Sequence, residues 1–256
     1  MRGNFVGGAG SLRKYLLDFV FPEGIYCICC GKPIDPRARY SLCYTCVRTL
    51  SWVNEGFCQK CGKPLLPESS ETLCQDCLSE ERPFDGGYTC VRYGHLERSL
   101  IHSLKYGGKS YLARPLAWLM TERLAASGVE EDLIAAVPMN RKKECRRGYN
   151  QAALLAGEIA CRRRKPFCSQ LLKRTKDTEA MSTLGPLERW ENVRGVFSVK
   201  PDKAQLVSGK TVVLVDDVYT TGSTASACSE VLLAAGAAQV FVLTFAAGMD
   251  TPVRIE

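Results

Sequence analysis

At 256 residues, with 46% apolar and 24% charged content, the chain has the size of one large or two modest domains and the make-up of an ordinary globular protein. No apolar run approaches the length of a membrane span, so membrane insertion is not expected. A net charge of +7 favours polyanionic partners such as pyrophosphate, nucleotides or nucleic acid without choosing among them.

The first apolar stretch, Leu16-Leu17-Asp18-Phe19-Val20-Phe21, is too short and too interrupted by its acid for a signal-peptide core. It reads as a short amphipathic helix, and the chain is expected to be cytoplasmic. Cysteines dominate residues 27–77. Cys27-Ile-Cys29-Cys30-Gly-Lys-Pro precedes Cys43-Tyr-Thr-Cys46, and the unit repeats as Cys58-Gln-Lys-Cys61-Gly-Lys-Pro with Cys74-Gln-Asp-Cys77. Each C-x2-C turn points two thiolates at one tetrahedral ion, so two turns complete a four-cysteine zinc site. Two structural zinc ions are expected, and they would supply the folding free energy that so small a module lacks. Sequential pairing puts Cys27, Cys30, Cys43 and Cys46 on one ion and Cys58, Cys61, Cys74 and Cys77 on the other. A cross-braced pairing satisfies the same spacing. Of the 14 cysteines, Cys29, Cys90, Cys145, Cys161, Cys168 and Cys228 remain, and they read as small buried hydrophobes.

At Glu80-Glu81-Arg82-Pro83 the composition turns ordinary, which places a zinc module at 1–82 and a second domain at 83–256. Residues 87–93 alternate like a strand, and a helix from Leu96 leads to Lys105. Lys105 and Lys109 flank two glycines and can reach an anion; taken alone they read as a solvated turn. A helix over Tyr111–Ser127 precedes the buried strand Leu133–Val137, ended by Pro138. Residues 140–151 form a basic, glycine-containing loop between a strand end and a helix start, a place suited to pyrophosphate, with Arg141, Arg147 and Gly148 as candidates. The run Arg162 to Lys165 sits at the C-terminal end of the next helix, where cations complement the dipole, and reads as a solvated face. Residues 173–194 form a long polar stretch before the strand-like Val196–Val199. Such a stretch suits a flap over a site, with Thr175, Arg189, Asn192 and Arg194 as contacts.

The densest signal is Val212-Val-Leu-Val-Asp216-Asp217-Val-Tyr-Thr220-Thr221-Gly222-Ser223-Thr224. Four apolar residues make a buried parallel strand, and ligands sit beyond the carboxyl ends of such strands. The hydroxyls and free amides of residues 220–224 open a helix and make an anion cradle, while Asp216 and Asp217 are good acceptors for sugar hydroxyls. This pattern resembles the phosphoribosyl diphosphate (PRPP) signature of type I phosphoribosyltransferases. The expected fold is therefore α/β, a doubly wound, mostly parallel sheet of that kind preceded by a small cysteine-ligated zinc module.

The whole chain resembles the ComF family of amidophosphoribosyltransferase-like competence proteins. The resemblance is carried by the paired C-x2-C units, Leu104-Lys105-Tyr106, Val137-Pro138, Arg147-Gly148-Tyr149-Asn150-Gln151, Asn192-Val193-Arg194-Gly195 and the Asp216–Thr224 loop. Met181 departs from it, standing where members often carry glutamine. The resemblance implies a bacterial protein linked to DNA uptake by natural transformation, with single-stranded DNA and competence proteins such as a DNA-translocating helicase as partners. Two functions fit. In one, PRPP binds with magnesium through Asp216 and Asp217, its 5′-phosphate on Thr220–Thr224 and its pyrophosphate on Lys105, Arg141, Arg147 and the flap; the protein is then a phosphoribosyltransferase, its acceptor left open. In the other, the fold is a non-catalytic module for single-stranded DNA or a protein, with the basic stretches 141–147 and 162–165 supplying charge and Tyr149 and Phe167 stacking.

Overall fold

In a computed structural model of the protein, residues 24–175 and 195–250 are described. The chain divides into two compact units at the Thr49–Leu50 junction. In the smaller, Cys27 N–H donates to the Lys32 carbonyl at 2.8 Å and Gly31 N–H to the Cys27 carbonyl at 2.9 Å, closing a tight knuckle. One short helix, α1 (Tyr44–Thr49), carries Cys46.

The second cysteine repeat builds the same knuckle inside the larger unit. Cys58 N–H donates to Lys63 at 2.8 Å and Gly62 N–H to Cys58 at 2.8 Å. The short helix α2 (Gln75–Ser79) starts just after Cys74. This lobe is fastened to the rest of its unit: Asp250 accepts from Gln75 N–H at 3.2 and 3.3 Å, and Asp250 N–H donates to the Pro64 carbonyl at 2.9 Å.

Next come β1 (Gly86–Arg92), α3 (His95–Tyr106), α4 (Ala113–Ala126), β2 (Leu133–Ala136), α5 (Arg141–Arg147), α6 (Gln151–Arg163), β3 (Phe167–Cys168), β4 (Leu172–Arg174), β5 (Phe197–Val199), β6 (Thr211–Tyr219), α7 (Ser223–Ala234) and β7 (Gln239–Ala247). Five strands make one sheet in the order β1-β7-β6-β2-β3, and every pairing in it is parallel. The chain steps from β2 to β3 in one direction and from β6 to β7 in the other. Right-handed crossovers therefore put α6 and α7 on opposite faces, the doubly wound arrangement that the sequence predicts. Val212, Val213, Leu214 and Val215 of β6 are each 0% exposed, as a strand covered on both faces requires. The pair β4–β5 is a separate antiparallel ladder.

Four expectations change. The basic stretch after β2 is not a loop: Asn140 caps it, its side chain accepting from Lys142 N–H at 2.9 Å and Lys143 N–H at 3.2 Å, and α5 runs to Gly148. β6 does not end before its acids, because Asp216 pairs with Thr244 and Val218 with Ala246 on β7. Of the run 162–165, Arg163 grips the fully buried Glu131 through two nitrogens, at 2.7 and 3.0 Å, and Arg162 lies 4.5 Å over the Trp118 ring. Of the six spare cysteines, Cys90 and Cys228 are buried as expected, Cys29 and Cys168 are half-buried, and Cys145 and Cys161 are exposed. Both exposed thiols sit on solvent-facing helix turns, where no core exists to hold them.

Candidate functional site

Parallel strands end on one side of the sheet, and their ends make one cavity of about 500 Å³. Tyr93 reaches it from beyond β1, Val137–Asn140 from beyond β2, Asp216, Asp217, Val218, Thr220 and Thr224 from β6 and its loop, and Gly248 from beyond β7. Lys105 and Tyr106 of α3, Lys143 and Arg147 of α5, Asn150 and Gln151 at the start of α6, and Arg174 complete the walls.

Asp217 is 3% exposed and fully engaged. Its Oδ2 lies 2.5 Å from Lys105 Nζ, and its Oδ1 accepts from Gln151 Nε2 at 3.0 Å. Burial works against the Lys105 charge, but the Asp217 carboxylate outweighs it and holds the ammonium above its ordinary range. Asp216 is the opposite case. Burial, then the neighbouring Asp217 charge, pushes its carboxyl well above the usual carboxylate range. One of its oxygens accepts from Asp217 N–H at 2.8 Å.

The run Arg147–Gln151 sets this geometry residue by residue. Gly148 ends α5 with φ 87. Tyr149 Oη donates to the Leu104 carbonyl at 2.5 Å and so pins the last turn of α3, which carries Lys105. Asn150 caps α6, accepting from Ala152 N–H at 3.0 Å, and its Nδ2 donates to the Val137 carbonyl at the end of β2 at 3.0 Å. Gln151 takes Arg147 on its oxygen and gives its nitrogen to Asp217. The Arg147 guanidinium also lies 4.9 Å over the Tyr106 ring.

In the loop after β6, Thr221 and Ser223 hydroxyls pair at 2.9 Å, and Gly222, with φ 82, opens α7. Of the predicted contacts, Lys105, Arg147, Asp216, Asp217, Thr220 and Thr224 line the cavity together, while Thr221, Gly222 and Ser223 do not line it. Arg141 lines a neighbouring cavity with Lys173 and Lys200 instead, and Gly148 acts through the backbone. Thr175 closes the β4–β5 pair, its hydroxyl donating to Val196 at 2.9 Å. Arg189, Asn192, Arg194 and Met181 lie outside the described residues. Sequence reasoning passed over Gln151, Lys143, Tyr93 and Gly248. Gln151 sits inside the Arg-Gly-Tyr-Asn-Gln motif; Tyr93 and Gly248 carry no local signal, because only the sheet brings their strand ends together.

The eight repeat cysteines form two groups, Cys27, Cys30, Cys43 and Cys46, and Cys58, Cys61, Cys74 and Cys77, with sulfurs within 4.8 Å of one another in each. Cys30 and Cys43 sulfurs stand 3.8 Å apart and Cys61 and Cys74 sulfurs 3.6 Å. Tetrahedral zinc with Zn–S bonds of about 2.3 Å needs sulfurs about 3.8 Å apart, so both groups fit the ion. The pairing is sequential, and the cross-braced alternative falls. Four cysteine ligands leave no open coordination position, which makes these sites structural. Elemental analysis of anaerobically purified protein is expected to give about two zinc ions per chain, and a value near zero would remove both assignments.

The chain matches the model of a double zinc ribbon domain over residues 16–78 and that of a phosphoribosyl transferase domain over residues 146–256. It is 32% identical over 170 residues to the DNA utilization protein YhgH of Escherichia coli (strain K12), covering 64% of this chain and 73% of that one. It is 30% identical over 171 residues to competence protein F of Haemophilus influenzae, covering 64% and 74%. Among solved structures, the allosteric regulatory enzyme of purine biosynthesis is 24% identical with a TM-score of 0.36, over 52% of this chain and 26% of that one. Among the described residues no helix is long and apolar enough to cross a membrane.

Proposed function

The chain belongs to the ComF family, that of competence protein F and the DNA utilization protein YhgH, and from that premise we propose that its cavity binds PRPP and serves as a phosphoribosyltransferase site in the handling of incoming DNA. One observation carries the reading: a carboxylate with an oxygen left for a ligand, a helix N-terminus and fixed cations all face a single cavity. Asp217 has both oxygens committed to Lys105 and Gln151, so Asp216 is the acceptor that remains for ribose hydroxyls. The 5′-phosphate rests on the amides and hydroxyls of Thr220–Thr224. Lys105, Lys143 and Arg147 hold the pyrophosphate and stabilise the charge it gains as it leaves. Magnesium suits this mix of carboxylate and phosphate oxygens, and when bound it neutralises the leaving group. The protein acts in the cytoplasm, with single-stranded DNA and competence proteins, including a DNA-translocating helicase, as partners in the same process.

Calorimetry of the zinc-loaded protein with magnesium and PRPP tests this. Saturable binding is expected, weakened roughly tenfold to a hundredfold in Asp216→Ala, the worth of a hydrogen bond to a charged group. Absence of heat with the intact protein sinks the PRPP site. The second reading, a single-stranded DNA module, draws on Tyr106, 62% exposed beneath the Arg147 guanidinium, and on a side cavity lined by Lys105, Lys143, Arg146 and Arg147. No PRPP heat, together with salt-sensitive oligonucleotide retardation weakened by Arg146→Glu/Arg147→Glu, would establish that reading in its place.

A further inference from the structure

The Thr220–Thr224 loop is floored by one side chain, and behind that side chain lies the second four-cysteine group. Tyr219, the last residue of β6, is 3% exposed. A Cβ built on Gly222 would run into Tyr219 Oη and come within 2.7 Å of its Cζ, so the loop backbone rests directly on the phenol. On its other side the phenol meets the second cysteine centre. Tyr219 Oη is buried, and Cys61, Arg82 and Cys77 are the charged groups that act on it. Arg82, 5% exposed, is held in place by Glu80 at 2.9 Å and by the Asp76 carbonyl at 3.0 Å. The backbone makes a second connection. Tyr219's carbonyl accepts from Gly248 N–H at 3.1 Å, and two residues on, Asp250 bonds to Pro64 and to Gln75, beside Cys74.

We propose that the second zinc centre (Cys58, Cys61, Cys74 and Cys77) is a positioning element for the Thr220–Thr224 loop, acting through Tyr219 as a positioning residue. A four-cysteine zinc core is rigid only while the metal holds its thiolates together. Released, the thiolates repel, Cys61 shifts, and the phenol loses its backing. The left-handed turn at Gly222 then has no floor, and the loop amides are no longer pre-arranged for an anion. The first centre belongs to the other compact unit. The consequence for affinity rests on the PRPP reading; the consequence for the loop itself does not.

Hydrogen exchange at the amides of residues 220–224, measured without ligand, is therefore the primary readout, followed by PRPP calorimetry and zinc content. Tyr219→Phe keeps the ring and is expected to behave as the parent protein. Tyr219→Leu is expected to retain both zinc ions, to exchange about tenfold faster at residues 220–224, and to bind PRPP about tenfold more weakly. Cys61→Ser should accelerate the same amides, and Cys30→Ser should not. The inference is overturned if Tyr219→Phe and Tyr219→Leu behave alike, or if Cys30→Ser loosens the loop as much as Cys61→Ser. Exchange that matches expectation while the parent protein gives no PRPP heat would leave the positioning role standing and remove only the ligand assignment.

Discussion

Alanine at Asp217 is expected to destabilise the zinc-loaded protein by roughly 3–5 kcal/mol, whereas asparagine at the adjacent Asp216 is expected to leave stability unchanged or raise it. The two carboxylates are neighbours in sequence and opposites in environment. Asp217 compensates Lys105 at 2.5 Å and takes a hydrogen bond from Gln151, so its loss strands a half-buried cation and a buried amide. Asp216 is held above its ordinary range by burial and by Asp217's charge, which means the fold tolerates its ionised form at a cost. A carboxyl raised in the folded state contributes stability at pH below its unfolded value and loses it as pH rises. The gap between parent and Asp216→Asn should accordingly close at low pH and open as pH rises through the carboxylate range. Urea unfolding of the two variants and of Lys105→Met/Asp217→Leu decides the matter. The double variant should recover much of the Asp217→Ala loss, since it leaves no unpaired charge. Equal behaviour of the two aspartates, or no recovery in the double variant, would refute the division of labour.

That division explains which half of the site was legible in the sequence. Asp216 to Thr224 are contiguous, and strand, acids, hydroxyls and helix start succeed one another within a single βα unit, so chain order alone conveys the chemistry. Lys105 sits at the end of α3 and meets Asp217 because Tyr149 ties the Leu104 carbonyl. No window of sequence contains that contact. α5 escaped detection for a different reason. None of Arg141–Arg147 is buried, so the segment has no apolar face and hence no helical period to read. Its signals were the punctuation, Asn140 before and Gly148 after, masked by the density of charge between them.

The cysteine repeat shows how a sequence symmetry can hide a structural asymmetry. Gly31 and Gly62 occupy the same place in the two Cys-Gly-Lys-Pro turns, with φ 70 and 73, and by sequence they are interchangeable. Among the described residues a Cβ on Gly31 meets nothing within 4 Å. One on Gly62 would lie 2.5 Å from the Gly87 carbonyl oxygen and 2.9 Å from its carbon, and one on Gly87 would lie 2.7 Å from the Cys61 carbonyl carbon. The second knuckle thus lies backbone against backbone on β1, with no flexible side chain between them to give way. Three substitutions separate the two physical effects. Gly31→Ala carries only the left-handed backbone penalty, about 1–2 kcal/mol. Gly87→Ala has ordinary backbone angles and carries only the collision, which must push the lobe off the strand at roughly 1–3 kcal/mol or more. Gly62→Ala carries both and is expected to be the least stable. Thermal unfolding with zinc analysis should show Gly62→Ala and Gly87→Ala losing metal from the second centre while Gly31→Ala keeps that ion. If Gly87→Ala is as stable as the parent protein, the close approach of knuckle and strand is refuted. If Gly62→Ala costs no more than Gly31→Ala and Gly87→Ala costs nothing, backbone conformation alone is at work, and the second lobe has no special hold on the sheet that carries the candidate site.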